Sequence, residues 1–186
     1  MKSEKEKMID GEHYNPLDVT LVKDRLQIRQ HLSKFNNAPY EFIQNPETRR
    51  DLLMPMFPNC SGHIDSLFIE PPFRCDYGYN IKTGSDVYFN FGCIVLDVCK
   101  VNIGSRVLFG PNVQIYTASH PLEAELRVGP NSFEFGKPIT IGNDVWVGGS
   151  VVLCPGITIV VTKDVPDNCV FVGNPAKLLK KIDNKT

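Results

Sequence analysis

Val101-Asn102-Ile103-Gly104-Ser105-Arg106-Val107-Leu108-Phe109-Gly110-Pro111-Asn112-Val113-Gln114-Ile115 carries two interleaved sets of apolar residues, each with a spacing of six. One set is Val101, Val107 and Val113; the other, two residues later, is Ile103, Phe109 and Ile115. The same grammar returns at Ile139, Val145, Val151 and Ile157, and again at Ile141, Val147, Leu153 and Ile159. Gly104 and Gly110 follow the first block in phase, as Gly142 and Gly148 follow the second. Upstream, Ile81, Val87 and Cys93 keep the spacing before a change of frame. A fixed short period marks a solenoid, and a period of six is that of a parallel β-helix. Each hexad is expected to form one short strand with an aliphatic side chain pointing inward. The small or Gly position is expected to permit the turn at each corner. A sandwich of valine-rich strands would not hold this phase across two blocks. The chain is therefore predicted to be mainly β and to fold as a parallel β-helix.

On either side of the repeat the grammar changes. From Thr117 to Lys137 the period is lost, which predicts a loop extruded from the regular scaffold over residues 117–138, a common place for function. Before the repeat, Leu21, Val22, Arg25, Leu26, Ile28 and Arg29 have amphipathic helical spacing, broken at Asn36-Asn37-Ala38-Pro39. A second helix is predicted from Pro46 to about Phe57, with Leu52 and Leu53 on its inner side and Pro55 and Pro58 ending it. A final helix is predicted from Pro175, capped by Asn174. The expected division is a helical segment over residues 1–60, followed by a β-helix domain over 61–186 with a C-terminal tail helix.

The 186 residues suffice for one domain, and a hydrophobic content of 42% with 22% charged residues is ordinary for a globular chain. A formal net charge of −1 and the lack of a basic stripe give no electrostatic reason to bind nucleic acid or an anionic membrane. The opening Met1-Lys2-Ser3-Glu4-Lys5-Glu6-Lys7 alternates in charge and reads as a solvated face. With no membrane-length apolar run and no signal peptide, a cytoplasmic location is expected. Cys60, Cys75, Cys93, Cys99, Cys154 and Cys169 show no CxxC spacing, and the reading is of reduced structural thiols, with Cys93 and Cys99 behaving as small buried apolar residues.

The four histidines, His13, His31, His63 and His120, are not at metal-ligand spacing, so no metal is expected. Metal-dependent carbonic anhydrases of this repeat period need several histidines along the coils, and these coils have none. His120 stands alone in the extruded loop. Its setting, Asn112-Val113-Gln114-Ile115-Tyr116-Thr117-Ala118-Ser119-His120-Pro121-Leu122, resembles the active-site loop of the maltose, galactoside and nodulation O-acetyltransferases. Pro71-Pro72-Phe73-Arg74-Cys75-Asp76-Tyr77-Gly78 and Ile139-Thr140-Ile141-Gly142-Asn143-Asp144-Val145-Trp146-Val147-Gly148-Gly149 share the resemblance. So do the helical start around Gly11-Glu12-His13-Tyr14 and the closing motifs Val161-Thr162-Lys163-Asp164-Val165-Pro166 and Gly173-Asn174-Pro175-Ala176-Lys177.

That resemblance implies a homotrimer of left-handed β-helices with active sites between subunits and acetyl-CoA as co-substrate. His120 matches the family's catalytic histidine, which would take the proton of an acceptor hydroxyl as its oxygen attacks the thioester. Neutral imidazole suits such work, since an ordinary pKa of about 6.5 lies near neutral pH. Asn90 matches an acceptor contact, and Asp76 and Asp97 are acceptor-side candidates on the same resemblance. Asp76 and Asp97 could equally cap a turn, and for Asn90, where acceptor contact is the favoured reading, the alternative is a corner residue of the coil. Trp146, Gly149, Thr162 and Lys163 match the region that meets CoA. Lys177 and Lys180 stand where relatives often place arginine near the nucleotide phosphates; their plain alternative is a solvated final helix.

The sequence departs from the family between Ile159 and Val160, where relatives carry about ten further residues rich in Gly, Ala and Ser that complete the last coil. Either the sequence omits residues that the molecule contains, or the end of the protein is remodelled and does not admit CoA. The leading expectation is O-acetyl transfer to a sugar or sugar-like acceptor. The alternative is a catalytically inactive β-helix trimer serving as a binding scaffold.

Overall fold

A computed structural model describes residues 1–60, 62–129 and 132–156, together with the strand backbone of Cys169–Val172 and Lys177–Lys181. Thr162, Lys163 and the Ile159–Val160 junction lie outside the described residues.

The chain opens with α1 (Glu4–Ile9), where Ser3 and Glu6 form a reciprocal capping box, so the charged opening is helical. Asp18 caps α2 (Val19–Asn36), which buries Leu21, Ile28, Leu32 and Phe35. Short helices α3 (Tyr40–Gln44) and α4 (Pro46–Leu53) follow, the latter stopping two residues before Pro55. Its Leu53 is fully buried.

From Leu67 the chain winds through three parallel sheets in strict rotation. The first sheet takes β1 (Leu67–Ile69), β4 (Val87–Phe89), β7 (Leu108–Phe109) and β12 (Trp146–Val147). The second takes β2 (Arg74–Cys75), β5 (Ile94–Leu96), β8 (Gln114–Tyr116) and β13 (Val152–Leu153), and the third β3 (Ile81–Thr83), β6 (Val101–Ile103) and β11 (Ile139–Ile141). This rotation is a parallel β-helix. Two short strands, β9 (Ala118–Ser119) and β10 (Phe135–Gly136), pair antiparallel outside it.

The register explains the change of frame. Val87 pairs with Leu67, Ile94 with Arg74 and Val101 with Ile81, so a coil holds twenty residues where three hexads would give eighteen. The two extra residues sit at the corner between the second and third sheets, at Tyr77–Asn80 and again at Asp97–Lys100. The extruded segment leaves from this same corner one coil later.

The repeat glycines do not have the role expected for them. The left-handed corner residues are chiefly Asp86, Arg106, Asn112, Asp144 and Ser150, with φ between 56° and 61°. Gly104 and Gly110 instead permit close stacking of coils. A Cβ on Gly104 would stand 2.6 Å from the Gly142 carbonyl oxygen, and one on Gly110 2.6 Å from the Gly149 nitrogen.

The inward residues form one core that continues into α2 and α4. Its spine is aromatic. Phe89 stacks on Phe109 at 4.4 Å, and edge contacts run on to Phe73 at 5.5 Å and thence to Phe57 at 5.7 Å, tying the coils to the helical segment. Cys93 and Cys99 are buried, as expected of small apolar residues.

The predicted tail helix is replaced by strands. β14 (Cys169–Val172) pairs parallel with β12, and β15 (Lys177–Lys181) folds back antiparallel on β14, with Lys177 opposite Val172 and Lys180 opposite Val170. The Asn174-Pro175 signal for a helix start is local. A helix this short is marginal in water, whereas an open sheet edge offers unpaired backbone groups for immediate pairing.

Candidate active site

Strands β9 and β10 make the extruded segment a hairpin with a narrow neck: Ser119 pairs with Phe135 and Ala118 with Gly136. Thr117, fully buried at the neck, donates its hydroxyl to the Leu96 carbonyl at 2.7 Å and accepts from the Cys99 N–H at 2.9 Å. Beyond the ladder, Arg127 donates to the carbonyls of Pro121 and Leu122 at 2.7 and 3.0 Å, folding the segment back on itself. His120 follows β9 directly and is exposed.

Extending the register by one residue sets Glu134 across from His120. Glu134 is held on its other side by Tyr14, through two backbone hydrogen bonds of 2.9 and 3.1 Å and a third at 2.8 Å from the Tyr14 hydroxyl to the carboxylate. Burial, and secondarily the Glu134 charge, push the Tyr14 phenol far above its ordinary value, so it stays a donor. Sequence reading missed this residue. The available signal was an acidic side chain, Phe133-Glu134-Phe135-Gly136-Lys137-Pro138, immediately before the period resumes.

Asp76 lies nearby at the corner after β2. Burial raises its pKa, partly opposed by the charges of Arg25 and Arg29, and the Glu134 charge raises it further. Arg25 donates to the Tyr77 hydroxyl at 2.6 Å and to the Pro16 carbonyl at 2.6 Å, so α2 braces this corner. A groove of about 590 Å³ opens beside it, lined by Arg29, Asn36, Arg74, Asp76, Ile94 and Leu96. The hairpin that carries His120 and Glu134 thus leaves from the same corner of the prism as Asp76, gathering an imidazole and two carboxylates on one side of the molecule.

Asp97 does not face that groove. It is 0% exposed, and one carboxylate oxygen accepts from the N–H groups of Asp76 and Tyr77 at 3.0 and 2.9 Å, while the other has no partner among the described residues. The acceptor-contact reading is therefore corrected: an enclosed carboxylate serves the corner, the turn-holding role left open by the sequence. Burial raises its pKa to about 7, although the backbone N–H groups favour the charged form. An unfolded aspartate titrates near 3.9, so the folded state holds a proton that the unfolded state releases between about pH 4 and 7, and stability falls as pH rises through that window. Asp97→Asn is expected to flatten this fall. Urea midpoints measured against pH at fixed protein concentration would show parallel curves for both proteins if Asp97 is not its source.

Asn90 sits at a different corner, after β4, where its side-chain oxygen accepts from the Phe91 N–H at 2.8 Å. Trp146, 55% exposed, lies on the outer side of the first sheet, and Gly149 is exposed at the Asn90 corner. A single chain therefore does not bring Asn90, Trp146 and Gly149 together with His120. Of Lys177 and Lys180 only the backbone is described, in β15. Among the described residues no group of three His, Cys, Asp or Glu could hold a metal ion, and no helix is long and apolar enough to cross a membrane.

With this geometry in view, comparison with known proteins is specific. A family model, the maltose acetyltransferase hexapeptide capping motif, matches residues 7–62. Nodulation protein L of Rhizobium meliloti is 38% identical over 188 residues, covering 95% of this chain and 98% of its own. The chain belongs to the maltose, galactoside and nodulation family of hexapeptide-repeat acetyltransferases. A solved maltose O-acetyltransferase from Clostridium difficile 630 is 44% identical with a TM-score of 0.87, covering 98% of this chain and 99% of its own. A galactoside acetyltransferase solved in complex with coenzyme A is 32% identical with a TM-score of 0.82, covering 99% of this chain and 93% of its own. Family membership places the extruded hairpin and the helical start in a shared architecture rather than in a chance likeness of repeats.

Proposed function

We propose that the protein transfers the acetyl group of acetyl-CoA directly to a hydroxyl of a sugar or sugar-like acceptor, with His120 as general base. The observation that carries this reading is the exposed His120 on an anchored hairpin whose other strand is preceded by a Glu134 fixed by Tyr14. His120 takes the hydroxyl proton as the acceptor oxygen forms its bond to the acetyl carbonyl carbon. Collapse of the tetrahedral intermediate breaks the carbon–sulfur bond, and the proton passes to the departing thiolate of CoA. Asp76 and Glu134 accept hydrogen bonds from acceptor hydroxyls, joined by Asn90. Trp146, Gly149, Thr162, Lys163, Lys177 and Lys180 are assigned to CoA.

The active unit is a homotrimer of left-handed β-helices. Support comes from the outward side chains: Phe68, Tyr88, Leu108 and Trp146 on the first sheet and Arg74, Ile94, Leu96, Gln114, Tyr116 and Val152 on the second, against Lys82, Asn102 and Thr140 on the third. An apolar face, a mixed face and a polar face per copy suit a head-to-tail ring in which the first sheet of one copy meets the second sheet of the next. Analytical ultracentrifugation is expected to give three times the 20.9 kDa chain mass.

The deciding test is thiol release from acetyl-CoA across a panel of sugars. Acceptor-dependent release is expected; a folded trimer that binds no CoA would favour the inert scaffold instead. Glu134→Gln is expected to raise the acceptor KM about tenfold with little change in the KM for acetyl-CoA, through loss of a charge-assisted hydrogen bond. Equal effects on both substrates would remove Glu134 from the acceptor site.

A further inference from the structure

The corner between the second and third sheets contains a hydrogen-bonded column that the reaction itself does not use. Cys75 pairs with Val95, and Leu96 with Tyr116, so Tyr77, Asp97 and Thr117 occupy equivalent places in three successive coils. Each of the upper two ties its own coil to the one below. Asp97 accepts from the N–H groups of Asp76 and Tyr77, and its main-chain carbonyl accepts from the Asn80 side chain at 2.7 Å. Thr117 accepts from Cys99 N–H and donates to Leu96, while its own carbonyl receives the Lys137 N–H at 2.9 Å where the hairpin returns. Both side chains are completely enclosed. At the lower end of the column stands Asp76; three residues beyond its upper end stands His120.

We propose that Asp97 and Thr117 are positioning residues whose stacked hydrogen bonds set the placement of the Asp76 corner relative to the hairpin that carries His120. This rests on the assignment of His120 and Asp76 to the acetyl-transfer site. Ordinary packing would hold the coils together without fixing where the backbone N–H groups of Asp76 and Tyr77 point; a carboxylate oxygen shared between them does fix it. A corner residue with no such acceptor would leave two N–H groups to find other partners, and Asp76 would turn with them. Thr117 acts at the other end, where the neck of the hairpin departs from the coil.

The experiment compares Asp97→Ala with Asp97→Asn, and Thr117→Val with Thr117→Ser, in the full-length protein. Steady-state kinetics are paired with hydrogen-exchange mass spectrometry of peptides spanning residues 75–79 and 97–101. Asp97→Ala is expected to raise the acceptor KM about tenfold at unchanged acetyl-CoA KM and to speed exchange at Asp76 and Tyr77. Asp97→Asn keeps an acceptor oxygen and should stay within about threefold of the parent in KM, with slow exchange. Thr117→Val should lower kcat and speed exchange at Cys99, and Thr117→Ser should restore both. Parent-like kinetics in Asp97→Ala, or equal losses in Asp97→Ala and Asp97→Asn, would overturn the proposal, as would matched changes in both KM values. Should Asp97→Ala not fold, Asp97→Asn against Asp97→Ser supplies the same contrast. A parent protein that releases no CoA with any acceptor would instead sink the acetyl-transfer reading and, with it, the kinetic role; slow exchange at Asp76 would then mark the column as structural.

Discussion

His120→Ala is expected to lower kcat/KM for acceptor-dependent CoA release by about a thousandfold, inside the range of about 10²–10⁴ that a positioned general base supplies. Stability should scarcely change. His120 is exposed, and the hairpin is anchored by the β9–β10 ladder, Thr117 and Arg127 rather than by the imidazole. The mutant should therefore sediment as the parent does and bind CoA with parental affinity by calorimetry. That pattern separates loss of the base from loss of the assembly. A mutant that keeps more than a tenth of parental turnover would move the proton acceptor elsewhere, and Glu134, one residue beyond the Ser119–Phe135 pair, would be the next group to replace. The two residues are distinguishable in advance: removal of the base lowers kcat, whereas loss of the Glu134 charge raises the acceptor KM.

How much of this was legible in the sequence depends on whether the signal was local. The inward side chains repeat every two residues along each strand, and nearly all of those facing the core, Thr83 being an exception, are apolar. Val101, Val107, Val113 and their counterparts therefore announce the helix directly. The length of the coil was less visible, because the two extra residues at one corner carry no periodicity and appear only as a broken frame near Asp97. Gly104 and Gly110 were legible as repeat positions but not in their cause, which is the distance to a neighbouring coil. The tail was misread because Asn174-Pro175 is a local helix signal, while the open edge at β12 is a property of the assembled sheet. The same divide runs through the site. His120 could be picked out by its loop and by family resemblance. Glu134 could not, because its partner Tyr14 lies 120 residues away. Asp97 was ambiguous for a third reason: an aspartate that holds a corner from inside and one that meets a ligand outside look alike until burial is known.

Phe89→Ala should be the most damaging single change to the scaffold, at about 3–5 kcal/mol. Its ring is 1% exposed and lies nearly parallel to Phe109, with an interplanar angle of 12° at 4.4 Å, while its other side meets the edge of Phe73. A stacked solenoid distributes stability over nearest-neighbour interfaces, so a cavity at one level weakens the contacts above and below it. Here the lower neighbour, Phe73, also packs on Phe57, so the loss reaches the junction with the helical segment. The urea midpoint should fall at fixed protein concentration, a control that the proposed self-association makes necessary. Phe109→Ala removes the other half of the stacked pair. The double mutant should therefore be less damaged than the sum of the single changes, by about 0.5–3 kcal/mol. Additive losses would mean that the two rings contribute independently, and that the coils are held in register by their backbone ladders rather than by the aromatic column.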